Sequence, residues 1–91
     1  MSTSYGLELD GPARRALESR LPPTVAAAVW EFCDGVLREE PYRVGKPLRG
    51  SLEGLFSARR GAYRVIYQVN ETAHVVEVLQ IGHRTDVYRR R

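Results

Sequence analysis

The sequence predicts an α+β fold in which a helical hairpin packs on one face of a small, mainly antiparallel sheet. Apolar residues follow a helical period up to Pro41, and from Leu55 onward they form runs rich in Val, Ile, Tyr and Phe. The resulting order is one strand, two helices and three strands, which is typical of helices packed on one side of a sheet. We expect residues 1–91 to form a single domain, as is usual for a chain of this length.

The first three elements come before Pro41. "YGLEL" at 5–9 alternates as a short strand does, and "DGP" ends it. Pro12 suits the first turn of a helix, which apolar residues at helical spacing extend to about Arg20. After the prolines at 22–23, a second helix runs to Pro41. Its apolar stripe consists of Val25, Ala28, Val29, Phe32, Val36 and Leu37.

The rest of the chain predicts a loop followed by a sheet. Residues 42–54, "YRVGKPLRGSLEG", show no sustained period, which indicates an irregular loop. The runs "LFSAR", "AYRVIYQV" and "HVVEVLQI" follow, with "RG" and "NET" between them as turns. They predict a three-stranded C-terminal meander.

Composition favours a soluble globular protein, with 43% hydrophobic and 27% charged residues. No apolar run approaches the roughly eighteen residues that a membrane span needs. The start "MSTSYGLELD" lacks the basic and apolar regions of a signal peptide, so we expect a cytoplasmic protein without membrane contact. The single Cys33 cannot form an internal disulfide, and its place in the apolar stripe predicts a buried, unreactive thiol.

Charge is distributed unevenly along the chain. Residues 1–40 hold four arginines against seven acids, a net charge of −3, whereas residues 41–91 hold ten Lys or Arg against four acids, a net charge of +6. Such a chain can present one basic face to a polyanion, because each neutralised phosphate releases counterions. A solvated basic surface or an acidic protein partner are the alternatives.

Strand alternation separates the cations of the meander. It places Phe56 and Ala58 on the face toward the helices and Arg59 on the opposite face. In the following strand, Arg64 lies on the face opposite to Val65. An arginine in a middle strand is costly to bury without a partner, because its guanidinium does not lose its charge at ordinary pH.

Arg64 therefore requires an acid, a carbonyl or an anionic ligand. A salt bridge to Glu53 or Glu77 would meet this need without a ligand. An anionic ligand would meet it at a functional site.

Signatures of metal and cofactor sites are missing from the sequence, so no cofactor is expected. The candidate side chains are cationic or aromatic: Lys46, Arg49, Arg59, Arg60, Arg64, His83, Arg84, Tyr88 and Arg89–Arg91. They suit RNA phosphates and stacking on bases, and also RNA cleavage by its own 2′-OH, which needs alignment, positive charge and proton transfer. Histidine exchanges protons near neutral pH, which makes His83 the candidate acid or base. Residue types alone favour binding without cleavage.

Four segments carry a resemblance to a known family: "ARRALESRLP", "GKPLRG", "LEGLFSARRGAYRVIYQV" and "IGHRTDVYR". Together they resemble the RelE branch of the RelE/ParE superfamily, the toxins of bacterial type II toxin-antitoxin pairs, and especially the compact mycobacterial-type RelE toxins. The resemblance implies a RelE-like microbial RNase fold and a ribosome-dependent, metal-free mRNA endonuclease that cuts the A-site codon by 2′-OH attack. It also implies a RelB-like antitoxin that silences the toxin and through which operator DNA is bound.

The resemblance also implies roles for single residues. Arg59 matches the strand cation before the turn, and Arg64 matches the arginine expected to bind the scissile phosphate and assist the leaving oxygen. Arg84 matches the arginine of the "HR" pair, and Tyr88 the tyrosine that stacks on or orients a base.

Three further cations are RNA-binding candidates. Lys46 and Arg49 match loop cations that hold RNA backbone, and Arg60 is either a solvated side chain or a nonspecific phosphate contact. Where the best-known members have a lysine-rich strand, this chain has Ser57 and Arg59, so the usual general base is replaced by a residue that does not readily lose a proton. His83, at a position that is lysine in some relatives, is the candidate to compensate.

Two other functions stay open at this point. One is that of the ParE branch, non-enzymatic inhibition of DNA gyrase, which the "HRTDVY" ending disfavours. The other is a degenerate toxin that acts only as an antitoxin-bound corepressor, which the missing strand lysine makes credible.

Overall fold

A computed structural model of the protein describes residues 4–83 and 85. In this part of the chain the strands are β1 (Gly6–Leu9), β2 (Lys46–Pro47), β3 (Phe56–Arg60), β4 (Tyr63–Asn70) and β5 (Val75–His83). The helices are α1 (Gly11–Arg15), continued by a π-helical turn over Ala16–Arg20; α2 (Pro23–Phe32), continued by a π-helical turn over Cys33–Leu37; and α3 (Pro41–Val44). The predicted α+β fold is confirmed.

The strands form one mixed sheet in the order β1-β5-β4-β3-β2. The C-terminal meander is antiparallel as predicted, and β1 joins it in parallel beside β5. A parallel neighbour is possible because the chain between β1 and β5 includes both long helices, which carry it across the sheet.

The predicted irregular loop at 42–54 is wrong in part. Pro41 begins α3 instead of only ending α2, and the loop also contains β2 and a 3₁₀ turn over Gly50–Leu52. Elements of two to four residues are too short to show a period in the sequence. The predicted "RG" turn is displaced by one residue, because Arg60 ends β3 and Gly61 turns the chain with a φ of 63°.

The hydrophobic core lies between the helices and one face of the sheet. Ala58, Val65 and Tyr67 are almost fully buried there, which confirms the predicted alternation. Cys33 is buried as predicted, and burial raises the pKa of its thiol to about 12. We call this side of the sheet the helix face and the opposite side the groove face. None of the helices in residues 4–83 is long and apolar enough to cross a membrane.

Candidate nucleic-acid interface

A groove of about 480 Å³ lies on the groove face, between β3–β4 and the segment that leads from α3 into β2. Its lining residues are Val44, Lys46, Pro47, Leu48, Ser57, Arg59 and Arg64. Lys46 pairs with Ser57 across β2 and β3, which puts its side chain on the same face as Arg59. The groove thus brings together three of the predicted site residues, all of them cations.

Arg59 and Arg64 are direct cross-strand partners in β3 and β4. Side chains in such positions have Cβ atoms about 5 Å apart, and like charges there destabilise the sheet. On the other side of Arg64, the partner in β5 is Gly82, which carries no side chain. Arg64 is therefore flanked by a second cation on one side and by a residue without a side chain on the other, an arrangement suited to an anion.

The Nε atom of Arg64 is buried, and no group in the described part of the chain forms a hydrogen bond with it. The ion pairs within residues 4–83 join Arg38 to Asp34 and Arg43 to Glu40, so Arg64 is bound neither to Glu53 nor to Glu77. Glu77 instead accepts a hydrogen bond of 2.6 Å from Gln68. The ion pair considered as an alternative is absent from the described structure, which favours a ligand.

His83 lies on the helix face, away from the groove. Its Cα partner is Tyr63, and the two rings meet edge to face at 5.5 Å. The cause is a bulge in β5: Ile66 pairs with Gln80 but Tyr67 pairs with Val78. This reverses the alternation of the residues that follow the bulge.

The ring of His83 is held by the residue two positions later. Its Nδ1 accepts a hydrogen bond from the backbone N–H of Thr85 at 3.2 Å and lies 2.9 Å from the Thr85 hydroxyl oxygen. The proposed acid or base role of His83 stays a prediction, and its ring would have to act from outside the groove.

The other two predicted RNA-binding cations also lie outside the groove lining. Arg60 is exposed beside α2, at a hollow formed with Val25, Val29 and the turn residue Gly61. Arg49 is exposed at the start of the 3₁₀ turn. Arg84 and Tyr88 fall outside the described residues, so their predicted roles stay predictions.

Sequence reasoning missed the apolar wall of the groove, formed by Val44, Pro47 and Leu48. Its signal was the "GKPLRG" segment, which was interpreted only for its cations. No group of three or more His, Cys, Asp or Glu residues that could hold a metal ion occurs in the described part of the chain.

Comparison with known proteins identifies the family of the protein that carries this basic groove. A family model described as the ParE toxin of the type II toxin-antitoxin system, parDE, matches residues 12–88. The toxin RelG of Mycobacterium tuberculosis is 50% identical over 86 residues, which cover 94% of this chain and 98% of RelG. The chain belongs to the RelE/ParE toxin family. The toxin RelE of the same organism is 48% identical over 93% of this chain and 87% of its own length, which places the protein in the RelE branch.

Solved structures support the same assignment for this RelE-type toxin. The toxin-antitoxin complex RelBE2 of M. tuberculosis contains a chain that matches with a TM-score of 0.84 and 48% identity, covering 91% of this chain and 94% of that one. The intact E. coli RelBE complex matches with a TM-score of 0.73 and 28% identity, covering 88% and 96%. The expected RelE-like fold is confirmed.

Proposed function

We propose that this toxin is a ribosome-dependent mRNA endonuclease that cleaves the A-site codon by attack of the ribose 2′-OH. The pairing of Arg59 with Arg64, beside Lys46 and without an ion-paired acid in the described structure, carries this proposal. A folded protein keeps such a like-charge pair at a stability cost of about 0.2–1 kcal/mol, which a bound phosphate would offset.

The two guanidinium groups supply positive charge to the reacting phosphate. As the P–O2′ bond forms and the P–O5′ bond breaks, charge accumulates on the phosphate oxygens, and hydrogen bonds from arginine strengthen. Arg64 binds the scissile phosphate and assists the leaving oxygen. Arg59, beside it, neutralises negative charge on the same phosphate. Lys46 holds an adjacent phosphate across the groove.

Proton transfer requires groups other than this arginine pair. The 2′-OH must lose a proton and the leaving 5′ oxygen must gain one, and arginine does not release its proton at ordinary pH. His83 lies on the other face of the sheet, as shown by its contact with Tyr63. In this proposal Arg84 assists at the phosphate and Tyr88 stacks on a base, while Arg49 and Arg60 contact RNA backbone outside the groove.

The partners follow from the same proposal. The complexes named for the structural relatives pair RelE toxins with RelB antitoxins, and we extend such a partner to this chain. A RelB-like antitoxin would silence the toxin and link it to operator DNA. Action on ribosomes would place the toxin in the cytoplasm.

One experiment tests the proposal in cells. Wild type, Arg64→Ala and Tyr88→Phe are induced, mRNA 5′ ends are mapped and DNA damage is followed. Codon-phased cuts within translated frames that disappear in Arg64→Ala support the endonuclease. Growth arrest with DNA damage and intact mRNA would overturn it.

The matching family model favours a second candidate function. That model is described as the ParE toxin, so inhibition of DNA gyrase by protein binding is the alternative. The same experiment separates the two functions, because gyrase inhibition predicts DNA damage without cleaved mRNA. Absence of any growth arrest would favour the remaining hypothesis, a degenerate toxin that acts only as an antitoxin-bound corepressor.

A further inference from the structure

Lys46 lies in a segment whose own secondary structure is too short to fix its position. β2 contains only Lys46–Pro47, and its two residue pairs with Ser57 and Phe56 are its whole register with β3. Proline has no N–H to donate to the sheet. The preceding helix α3 has four residues, which is too short to be stable alone. The position of Lys46 across the groove must therefore depend on contacts elsewhere.

Tyr67 supplies the principal contact. It lies on the helix face of β4, is fully buried, and its hydroxyl donates a hydrogen bond of 2.5 Å to the carbonyl oxygen of Pro41, the first residue of α3. At the other end of α3, Gly45 packs directly against this hydroxyl, where an added Cβ would clash with it. The hydroxyl thus contacts both ends of the segment that leads into Lys46.

Contacts between aromatic rings add to the hydrogen bond of Tyr67 in holding α3 against the sheet. Phe56 stacks on Tyr67 with ring centres 5.5 Å apart, and Tyr42 in α3 meets Phe56 edge to face at 5.6 Å. These rings fix the distance of α3 from the sheet but not its position along the strands. A directional hydrogen bond to Pro41 can do so.

We propose that Tyr67 is a positioning residue, which holds α3 and β2 so that the ammonium group of Lys46 stays opposite Arg59 and Arg64. The inference rests on the proposed function, because it assigns Lys46 to the RNA backbone. Tyr67 itself is fully buried on the helix face and cannot reach RNA in the groove. Its effect on RNA must therefore pass through Lys46.

Tyr67→Phe tests the inference because it removes the hydroxyl and keeps the ring. The probe is a short fluorescein-labelled single-stranded 2′-O-methyl RNA, which lacks the attacking hydroxyl. Its affinity is measured at increasing salt concentration for Tyr67→Phe, Lys46→Ala and the double variant. Tyr63→Phe is the matched control, since it removes a hydroxyl from the same face of the same strand, far from α3.

We expect Lys46→Ala to lower the slope of log affinity against log salt by about 0.7, the contribution of one phosphate contact on a single strand. Tyr67→Phe should lower the slope in the same direction and should have no further effect once Lys46 is alanine. Tyr63→Phe should match wild type. Full additivity of the two substitutions, or a wild-type slope in Tyr67→Phe, would overturn the inference.

A second measurement needs no RNA. The backbone N–H of Leu48, just beyond β2, donates to the carbonyl oxygen of Leu55 at 2.8 Å. We expect its hydrogen exchange to be faster in Tyr67→Phe and unchanged in Tyr63→Phe. Absence of binding by wild type would overturn the assignment of Lys46 to free RNA but not ribosome-dependent cleavage, while faster exchange at Leu48 would still support positioning by Tyr67. Unchanged exchange overturns it.

Discussion

Arg59 and Arg64 face each other across β3 and β4, and neither forms an ion pair with any residue that the structure describes. The Nε atom of Arg64 is also buried, without a hydrogen bond to residues 4–83 or 85. Both features oppose folding in the absence of a ligand. Binding of an anion thus favours arginine at these two positions, whereas stability of the sheet favours other residues. Substitutions here should therefore change stability and anion binding in opposite directions.

Replacement of Arg64 should separate stability from activity. We expect Arg64→Met, which keeps an unbranched side chain, to leave the free energy of unfolding unchanged or to raise it by up to about 1 kcal/mol, because the like-charge contact disappears. Cleavage of mRNA should fall at least about 100-fold with the loss of charge stabilisation. Urea unfolding at low anion concentration and 5′-end mapping measure the two effects.

The control for this substitution is Arg15→Met, at an exposed arginine of α1 far from the groove. It should change the free energy of unfolding by less than about 0.5 kcal/mol and leave cleavage at the wild-type level. Marked destabilisation by Arg64→Met would show that Arg64 has a protein partner in solution.

Inorganic sulfate should stabilise the wild-type toxin through the same two arginines. An anion that binds only the folded state adds about 1.4 kcal/mol at ten times its dissociation constant. Sulfate also stabilises proteins by exclusion from their surface, so the informative quantity is a difference between variants. We expect thermal unfolding to shift less with sulfate in Arg59→Met and Arg64→Met than in wild type or Arg15→Met. Equal shifts in all four proteins would contradict an anion site.

Alternation alone was sufficient to place Arg59 and Arg64 on one face. Both strands are regular up to that point, and burial of Ala58 and Val65 fixes which face meets the helices. The same reasoning fails for His83. The bulge in β5 turns it toward the helices, and no turn residue marks the bulge at Leu79, between the paired residues Val78 and Gln80.

The groove wall was not predictable from local sequence. Its position depends on a hydrogen bond between residues 26 positions apart, from Tyr67 to Pro41, and on the space left by Gly45. A helix of four residues and a strand of two leave no periodic signal. The family resemblance predicted an RNA-binding role for Lys46. The contact that positions Lys46 is made by Tyr67, a residue of β4 that is distant in the sequence.

The carboxylate of Glu71 should make stability depend on pH at both extremes. The hydroxyl of Tyr42 donates to it at 2.5 Å and that of Tyr5 at 2.8 Å, and these hydrogen bonds hold the pKa of Glu71 below its ordinary value of 4.5. Its contribution is therefore complete above pH 4.5 and is lost as pH falls through the lowered pKa.

The Tyr42 hydroxyl of this contact makes stability depend on pH in the alkaline range. The hydrogen bond to Glu71 raises the pKa of Tyr42 from 10.0 to about 12. Its contribution is complete below pH 10 and is lost as pH rises toward 12. In urea unfolding across this range, Tyr42→Phe should flatten both the acid and the alkaline decline, whereas Tyr63→Phe should not. Identical profiles for Tyr42→Phe and wild type would show that the contact does not form.

Two glycines should respond to alanine with opposite signs. At Gly45 an added Cβ would clash with the Tyr67 hydroxyl, so we expect Gly45→Ala to lower the free energy of unfolding by about 1–3 kcal/mol. At Gly35, in the π-helical turn after α2, an added Cβ meets no atom within 4 Å. Gly35→Ala should raise the free energy of unfolding by about 0.5–1 kcal/mol through helix propensity. Equal destabilisation by both would contradict the packing of α3 against Tyr67.

The substitution His83→Gln tests whether His83, on the helix face, exchanges a proton with RNA bound in the groove. The ring of His83 contacts Tyr63 and Thr85, and its strand neighbour Gly82 is the residue that lies beside Arg64. Under the predicted acid or base role, we expect His83→Gln to lose a pH-dependent limb of the cleavage rate that wild type shows. Arg64→Ala, measured in parallel on isolated ribosomes, gives the rate of an inactive protein. Loss of that limb would require the end of β5 to rearrange when RNA binds, whereas an unchanged pH profile would remove His83 from the mechanism.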